Sequence, residues 1–238
     1  MKLKNKFKIG LFGINSNSGL SLTKHKKRWK ADWNELKKLV IFCDNNNFDF
    51  ILPLSKWQGW GGSTNPNNLS YETFNFASIL LNLTKRLYFY STVHIPFIHP
   101  VYAARSISTI SSYFKGRIGL NVVCGWNNNE YKMFFNNLDP LNDERYKFGE
   151  EWVKIFKSLL NKKNKNISFK GKFFNIKYAN CDPKSYEQPY PSIISAAYSK
   201  DGREFAINNC STIFTMFENL ERTKKINHEL IRRAKVRG

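Results

Sequence analysis

Hydrophobic residues fall into two alternating kinds of segment along the chain. Short runs rich in β-branched and aromatic residues predict strands, and they cover residues 8–12, 48–54, 87–94, 118–124, 192–197 and 212–216. Polar and apolar positions do not strictly alternate within these runs, which is typical of strands that are covered on both faces. The pattern therefore predicts a buried sheet of six strands.

Longer segments with helical periodicity separate these runs. Apolar residues share one helical stripe ahead of the second run, as Trp33, Leu36 and Val40 do, and the same pattern precedes the third run and returns between residues 144 and 160. Residues 101–113 are small and β-branched, which suits a helix packed closely on a sheet. This alternation indicates parallel β-α units, and we count six of them in a single domain of residues 1–238.

A barrel is favoured over an open, doubly wound sheet. The turn after the first run, residues 12–19, reads FGINSNSG and matches neither of the glycine-rich phosphate-binding patterns of open sheets. Two long insertions, residues 125–142 and 161–191, interrupt the pattern, and long connections after barrel strands lie where active sites are assembled. The second insertion contains a predicted hairpin with its turn at Lys170 and Gly171.

The net charge of +20 raises nucleic acid as a possible partner. The basic residues are mostly Lys and are scattered along the whole chain, and Asn is abundant as well, which indicates a compositional bias rather than a phosphate-binding face. The densest basic clusters, residues 24–30 and 222–237, are expected to be solvated helix surface. A nucleic-acid binder is therefore the weakest of the functional hypotheses.

The apolar runs and the cysteines indicate the cellular compartment of the protein. No run reaches the roughly 18 to 20 apolar residues of a membrane helix, and the start lacks an apolar signal core, so we expect a cytoplasmic protein and no membrane partner. The four cysteines form no C-x-x-C pair and no metal-ligand spacing with histidine. We expect them to be reduced and to pack as small apolar residues, and we expect no metal site.

One segment resembles a known family closely. Residues 116–130 read GRIGLNVVCGWNNNE and match the G-R-x-x-x-N-x-V-x-G-W-x-x-x-E pattern that ends the fourth barrel strand of luciferase-like flavin-dependent monooxygenases. Residues 144–152, ERYKFGEEW, match a helix start of the same family, and shorter matches lie at residues 48–50, 169–174 and 188–191. The resemblance covers the chain in order and implies a (β/α)8 TIM barrel of the luciferase-like type, with about six of its eight β-α units present.

The resemblance is strongest to the branch of alkanesulfonate, dimethylsulfone and pyrimidine monooxygenases. It implies an enzyme that receives reduced FMN from a separate NAD(P)H-dependent flavin reductase and oxygenates a small organic substrate with O₂ through a peroxyflavin. A deazaflavin in place of FMN stays open. The alternative hypothesis is a catalytically silent remnant that acts only as a dimer or scaffold. Because six units do not close a barrel, we expect a homo-oligomer in either case.

The same resemblance assigns functional residues. It places Ser55 and Lys56 at the flavin ring, Asn121 at its polar edge, and Glu130 at the flavin site. Near the phosphate it places Arg145, Tyr146 and Ser199. At position 197 this chain has Ala where the family pattern has Gly, which predicts crowding of the phosphate. The candidate catalytic residues are His94, His99 and Trp126.

Most of these residues also have a purely structural interpretation. Ser199 could be a simple helix N-cap, and Arg145 and Tyr146 could merely begin a helix. Trp126 suits the core as well as a pocket wall. The two histidines flank a proline-bearing turn after the third run, where they could form structural hydrogen bonds or take part in catalysis. Asn121 favours a ligand, because an amide inside an apolar strand needs partners.

Overall fold

The computed structural model describes residues 7–135, 141 and 144–236. Six parallel strands form one sheet in the order β1-β2-β3-β4-β7-β8, and β5 pairs with β6 in a separate antiparallel hairpin. The strands are β1 Gly10–Phe12, β2 Phe50–Leu52, β3 Tyr88–His94, β4 Ile118–Val123, β5 Ile167–Lys170, β6 Asn175–Ala179, β7 Ile193–Ala196 and β8 Thr212–Phe214. The helices are α1 Trp33–Asn45, α2 Thr73–Leu81, α3 Pro100–Tyr113, α4 Asn128–Phe134, α5 Arg145–Leu160, α6 Lys200–Asn209 and α7 Leu220–Val236.

The six strands expected from the apolar runs all form, and each lies within its predicted range. The second is the most shortened, because the run at residues 48–54 pairs with β1 only from Phe50 to Leu52. Neighbouring strands in the sheet run parallel, as the strand–helix alternation predicted. The sheet is curled like part of a barrel wall, so the predicted (β/α)8 type with six units is confirmed.

The apolar stripes of the helices bury against the sheet. Leu36 and Val40 of α1 and Trp152 and Phe156 of α5 are fully buried, as the helical periodicity predicted. The indole N–H of Trp152 donates to the carbonyl of Ile98 at 2.8 Å, so the largest core side chain also has its polar atom satisfied. The core therefore lies between the helices and the outer face of the sheet.

The hairpin in the second long insertion forms, but its turn differs from the prediction. The turn spans residues 171–174 rather than centring on Lys170 and Gly171, and a hydrogen bond from the Gly171 N–H to the Phe174 carbonyl closes it at 2.8 Å. The carboxylate of Glu151 on α5 accepts the backbone N–H groups of Lys172 and Phe173 at 2.8 and 3.0 Å. This contact between distant residues holds the longer turn, and the local sequence carries no signal for it.

Candidate functional site

A cavity of about 530 Å³ lies on the inner side of the curled sheet, at the carboxyl ends of its strands. Such a volume is within the range of about 300–1,000 Å³ that is usual for small-molecule sites. Each of the six strands contributes to the wall at or just after its last residues. The lining residues that matter below are Phe12, Lys56, Trp60, Thr92, His94, Asn121, Trp126 and Phe214.

Three buried ionisable side chains meet beside this cavity. The Glu130 carboxylate accepts from the Lys56 ammonium at 3.0 Å through one oxygen and lies 3.3 Å from Nδ1 of His94 through the other. The backbone N–H of Trp57 donates to the same carboxylate at 3.1 Å. Burial alone would raise the pKa of Glu130, but the hydrogen bonds from His94 and Lys56 hold it at about 2. Glu130 is therefore a fixed anion that orients a lysine and a histidine.

Two tryptophans enclose the Lys56 ammonium. It lies 4.4 Å from the ring centroid of Trp60 and 5.2 Å from that of Trp126, and the two rings stack 5.7 Å apart. Cation–π attraction of this kind fixes a lysine more firmly when water is partly excluded. Trp126 is 54% exposed, so it is a wall of the cavity and not a core residue.

Asn121 lines the cavity and has one polar atom without a partner among the described residues. Its amide nitrogen donates to the Thr92 hydroxyl at 3.0 Å. Its amide oxygen is buried and accepts no hydrogen bond from any described residue. Leaving a buried acceptor unmatched costs about 1–3 kcal/mol, so this position favours a ligand that supplies a donor.

A second polar cluster forms where α5 and α6 begin. The Tyr146 hydroxyl lies 3.0 Å from that of Ser199, and Ser199 accepts from the Gly202 N–H at 3.0 Å as the N-cap of α6. A β-carbon at Gly202 would lie 3.0 Å from the Tyr146 hydroxyl and 3.1 Å from that of Ser199, so a larger residue there would crowd this cluster. Free N–H groups and the positive end of a helix favour an anion such as phosphate here.

Arg145 and Ala197 lie near this cluster but make other contacts. Arg145 begins α5 and donates to the Gly125 carbonyl at 3.2 Å, so it ties the helix start to the end of β4. Ala197 is buried, and its N–H donates to the Phe214 carbonyl at 2.9 Å. The crowding of a phosphate predicted from Ala197 stays a prediction.

The two candidate histidines lie in different environments in the structure. His94 ends β3, lines the cavity and contacts Glu130. His99 caps α3, where its Nδ1 accepts from the Val101 N–H at 3.3 Å and its ring packs edge to face on Phe174. It is not among the residues that line the cavity, and burial lowers its pKa from the ordinary range. The structure thus brings His94, and not His99, to the other candidates.

Sequence reasoning missed several residues of this site, among them Trp60 and Thr92. Trp60 follows β2 and could have been noticed from the two tryptophans, Trp57 and Trp60, that come shortly after Lys56. Thr92 carries no motif, and only its position opposite Asn121 in the paired strands β3 and β4 identifies it. Among the described residues, no group of three or more His, Cys, Asp or Glu side chains is placed to hold a metal ion. No helix in the described ranges is both long and apolar enough to cross a membrane.

Comparison with known proteins identifies the family. The sequence model described as "Luciferase-like monooxygenase" matches residues 7–238. The chain belongs to this family. It is 31% identical over 214 residues to pyrimidine monooxygenase RutA of Acinetobacter baylyi, a match that covers 90% of the chain and 57% of that relative. This luciferase-like chain thus spans little more than half the length of the relative it matches.

Solved structures show the same fold. A long-chain alkane monooxygenase superposes with a TM-score of 0.82 at 22% identity, covering 98% of this chain and 61% of the other. An F420-dependent secondary alcohol dehydrogenase superposes with a TM-score of 0.70 at 20% identity, covering 97% and 65%. Nothing in these comparisons supports the alternative of a silent scaffold.

Proposed function

We propose that this luciferase-like chain carries the flavin site of a monooxygenase that uses reduced FMN and O₂ to oxygenate a small organic substrate. The observation that supports this most directly is Asn121, which lines a cavity of about 530 Å³ and whose buried amide oxygen accepts no hydrogen bond from a described residue. A flavin ring carries N–H groups along its polar edge and an apolar edge opposite. The cavity lining likewise includes polar side chains, such as Asn121 and Lys56, and apolar ones, such as Phe12 and Trp126.

The cluster at the start of α6 favours FMN over an uncharged flavin. Ser199, Tyr146 and the Gly202 N–H surround a helix N-terminus that suits a phosphate group. A deazaflavin phosphate would meet the same cluster, so FMN is our choice on the strength of the family resemblance. A separate flavin reductase is proposed to supply the reduced form, as in the related branch.

The bound flavin and the residues of this site would have different roles in the reaction. Bound reduced flavin would supply the reaction with O₂, and the protein would supply orientation and a dry pocket. Lys56, fixed by Glu130 and two tryptophans, would hold the ring, while His94 is proposed to exchange a proton at its cavity-facing side. The flat walls of Trp60 and Trp126 suit a small ring as substrate, in keeping with the name of the pyrimidine monooxygenase relative.

The test is an anaerobic fluorescence titration with FMN and riboflavin. We expect micromolar binding of reduced FMN, and Ser199→Ala should weaken FMN binding about tenfold while leaving riboflavin binding unchanged. Ser112→Ala, on the exposed face of α3, is the matched control and should change neither affinity. Failure of the chain to bind either flavin in either redox state would contradict the proposal.

A further inference from the structure

Trp60 lines the cavity although its local sequence gives its ring little support. It is 58% exposed, and residues 59, 61 and 62 are glycines, so its nearest neighbours in the chain have no side chains to pack against it. Its ring stacks on Trp126, a contact that leaves the ring free to turn in its own plane. Its indole N–H donates to the amide oxygen of Asn67 at 3.0 Å. This hydrogen bond therefore sets the direction of the ring.

The Asn67 amide is held from its other end by the loop after β1. Its nitrogen donates to the carbonyls of Gly19 and Asn17 at 2.8 and 3.2 Å and to the Ser16 hydroxyl at 3.0 Å. Carbonyl groups can only accept and an indole N–H can only donate, so the amide cannot turn over without breaking bonds at both ends. Asn67 is only 5% exposed, so water competes little for these bonds. The side chain thus joins the loop after β1 to the Trp60 ring.

The direction of the Trp60 ring matters because the Lys56 ammonium lies 4.4 Å from its centroid. We propose that Asn67 is a positioning residue of the flavin site, which keeps the Trp60 ring against Lys56 before any ligand binds. A wall that is already formed lowers the cost of ordering side chains when the ligand arrives, so it increases affinity. This inference rests on the proposed function and adds to it a residue that does not need to touch the flavin.

Hydrogen exchange of the Trp60 indole N–H, followed by NMR, tests the hydrogen bond without a ligand. The signal is identified by its absence in Trp60→Phe. Asn67→Gly should speed its exchange about five- to tenfold, and glycine is the chosen replacement because residue 67 has a φ of 61°, which glycine adopts without strain. Ser16→Ala is the matched control, because it leaves the carbonyl partners of the Asn67 nitrogen in place, and it should keep the exchange slow. Equal exchange in the parent and in Asn67→Gly would overturn the inference.

Anaerobic titration with reduced FMN tests whether Asn67 acts through Trp60. Asn67→Gly and Trp60→Phe break the same hydrogen bond, so each should weaken binding about three- to tenfold and the double variant should weaken it no further. Ser16→Ala should leave the affinity unchanged.

Two results of this titration would overturn the inference. One is unchanged affinity in Asn67→Gly. The other is a loss of affinity in Asn67→Gly that Trp60→Phe does not share, because Asn67 would then act only by joining the loops. Absence of flavin binding by the parent protein, with the exchange rates as expected, would instead reject the proposed function.

Discussion

Phe12 and Phe214 pack edge to face with their ring centroids 5.0 Å apart, although they end β1 and β8, the two outermost strands of the sheet. Their rings meet across the inside of the curled sheet and form part of the cavity wall. Their strands do not pair with each other, and each has one strand partner among the described residues. The side chains thus approach while the backbone edges stay open.

These open edges predict self-association. Unpaired backbone groups of edge strands pair readily with another chain, and exposed apolar residues such as Phe7, Met216 and Phe217 lie close to β1 and β8 in sequence. We expect the 238-residue chain, expressed by itself, to dimerise or aggregate in sedimentation experiments and to unfold at modest temperature. A cooperative monomer that melts above about 60 °C, near the upper end of the mesophile range, would contradict this.

The buried ion pair of Lys56 and Glu130 predicts a large effect on stability. Lys56→Met leaves the Glu130 carboxylate buried without its main counter-charge, so the free energy of unfolding should fall by about 3–5 kcal/mol. The exposed pair of Lys38 and Glu35, with a similar distance of 3.1 Å, supplies the control, and Lys38→Met should cost less than about 1 kcal/mol. Denaturant unfolding measures both, and equal effects would show that the Glu130 site is hydrated.

Asn121 is predicted to bind flavin and not to hold the fold together. Replacing it by Leu or Ala removes one or two hydrogen bonds to the ligand, worth about 1–3 kcal/mol, so reduced FMN should bind about 5- to 150-fold more weakly. The variants should keep the circular dichroism spectrum of the parent. Unchanged flavin affinity would mean that Asn121 serves the strand pairing alone.

Glu187 predicts a pH dependence of stability. Burial raises its pKa from about 4.5 to about 7, and the Tyr88 hydroxyl donates to it at 3.3 Å. Between these two pKa values the folded protein binds more protons at this group than the unfolded chain does, so the group's contribution to the free energy of unfolding falls as pH rises. Glu187→Gln removes this loss, and its stability advantage over the parent should grow from about pH 5 to about pH 8. Parallel stability curves would exclude the effect.

The sequence by itself determined the strands, most helices and the family. Apolar runs and helical stripes report burial over a few neighbouring residues, and that is why β3, β4 and α5 could be located from the order of residues alone. The motif around Asn121 and the helix start at Arg145 likewise lie within short segments. Such features depend on residues close together in the chain, so they can be recognised from the amino-acid sequence without the tertiary structure.

The tertiary structure decided which side chains meet. Lys56 and Glu130 are 74 positions apart, and Thr92 and Asn121 are 29 apart, so no local pattern could pair them. The sequence left His94 and His99 equivalent, and the end of β3 turned one to the Glu130 carboxylate while the other became a helix cap. Register between β3 and β4 fixes the pairing of Thr92 with Asn121, because a shift of one residue turns every side chain to the opposite face of the sheet.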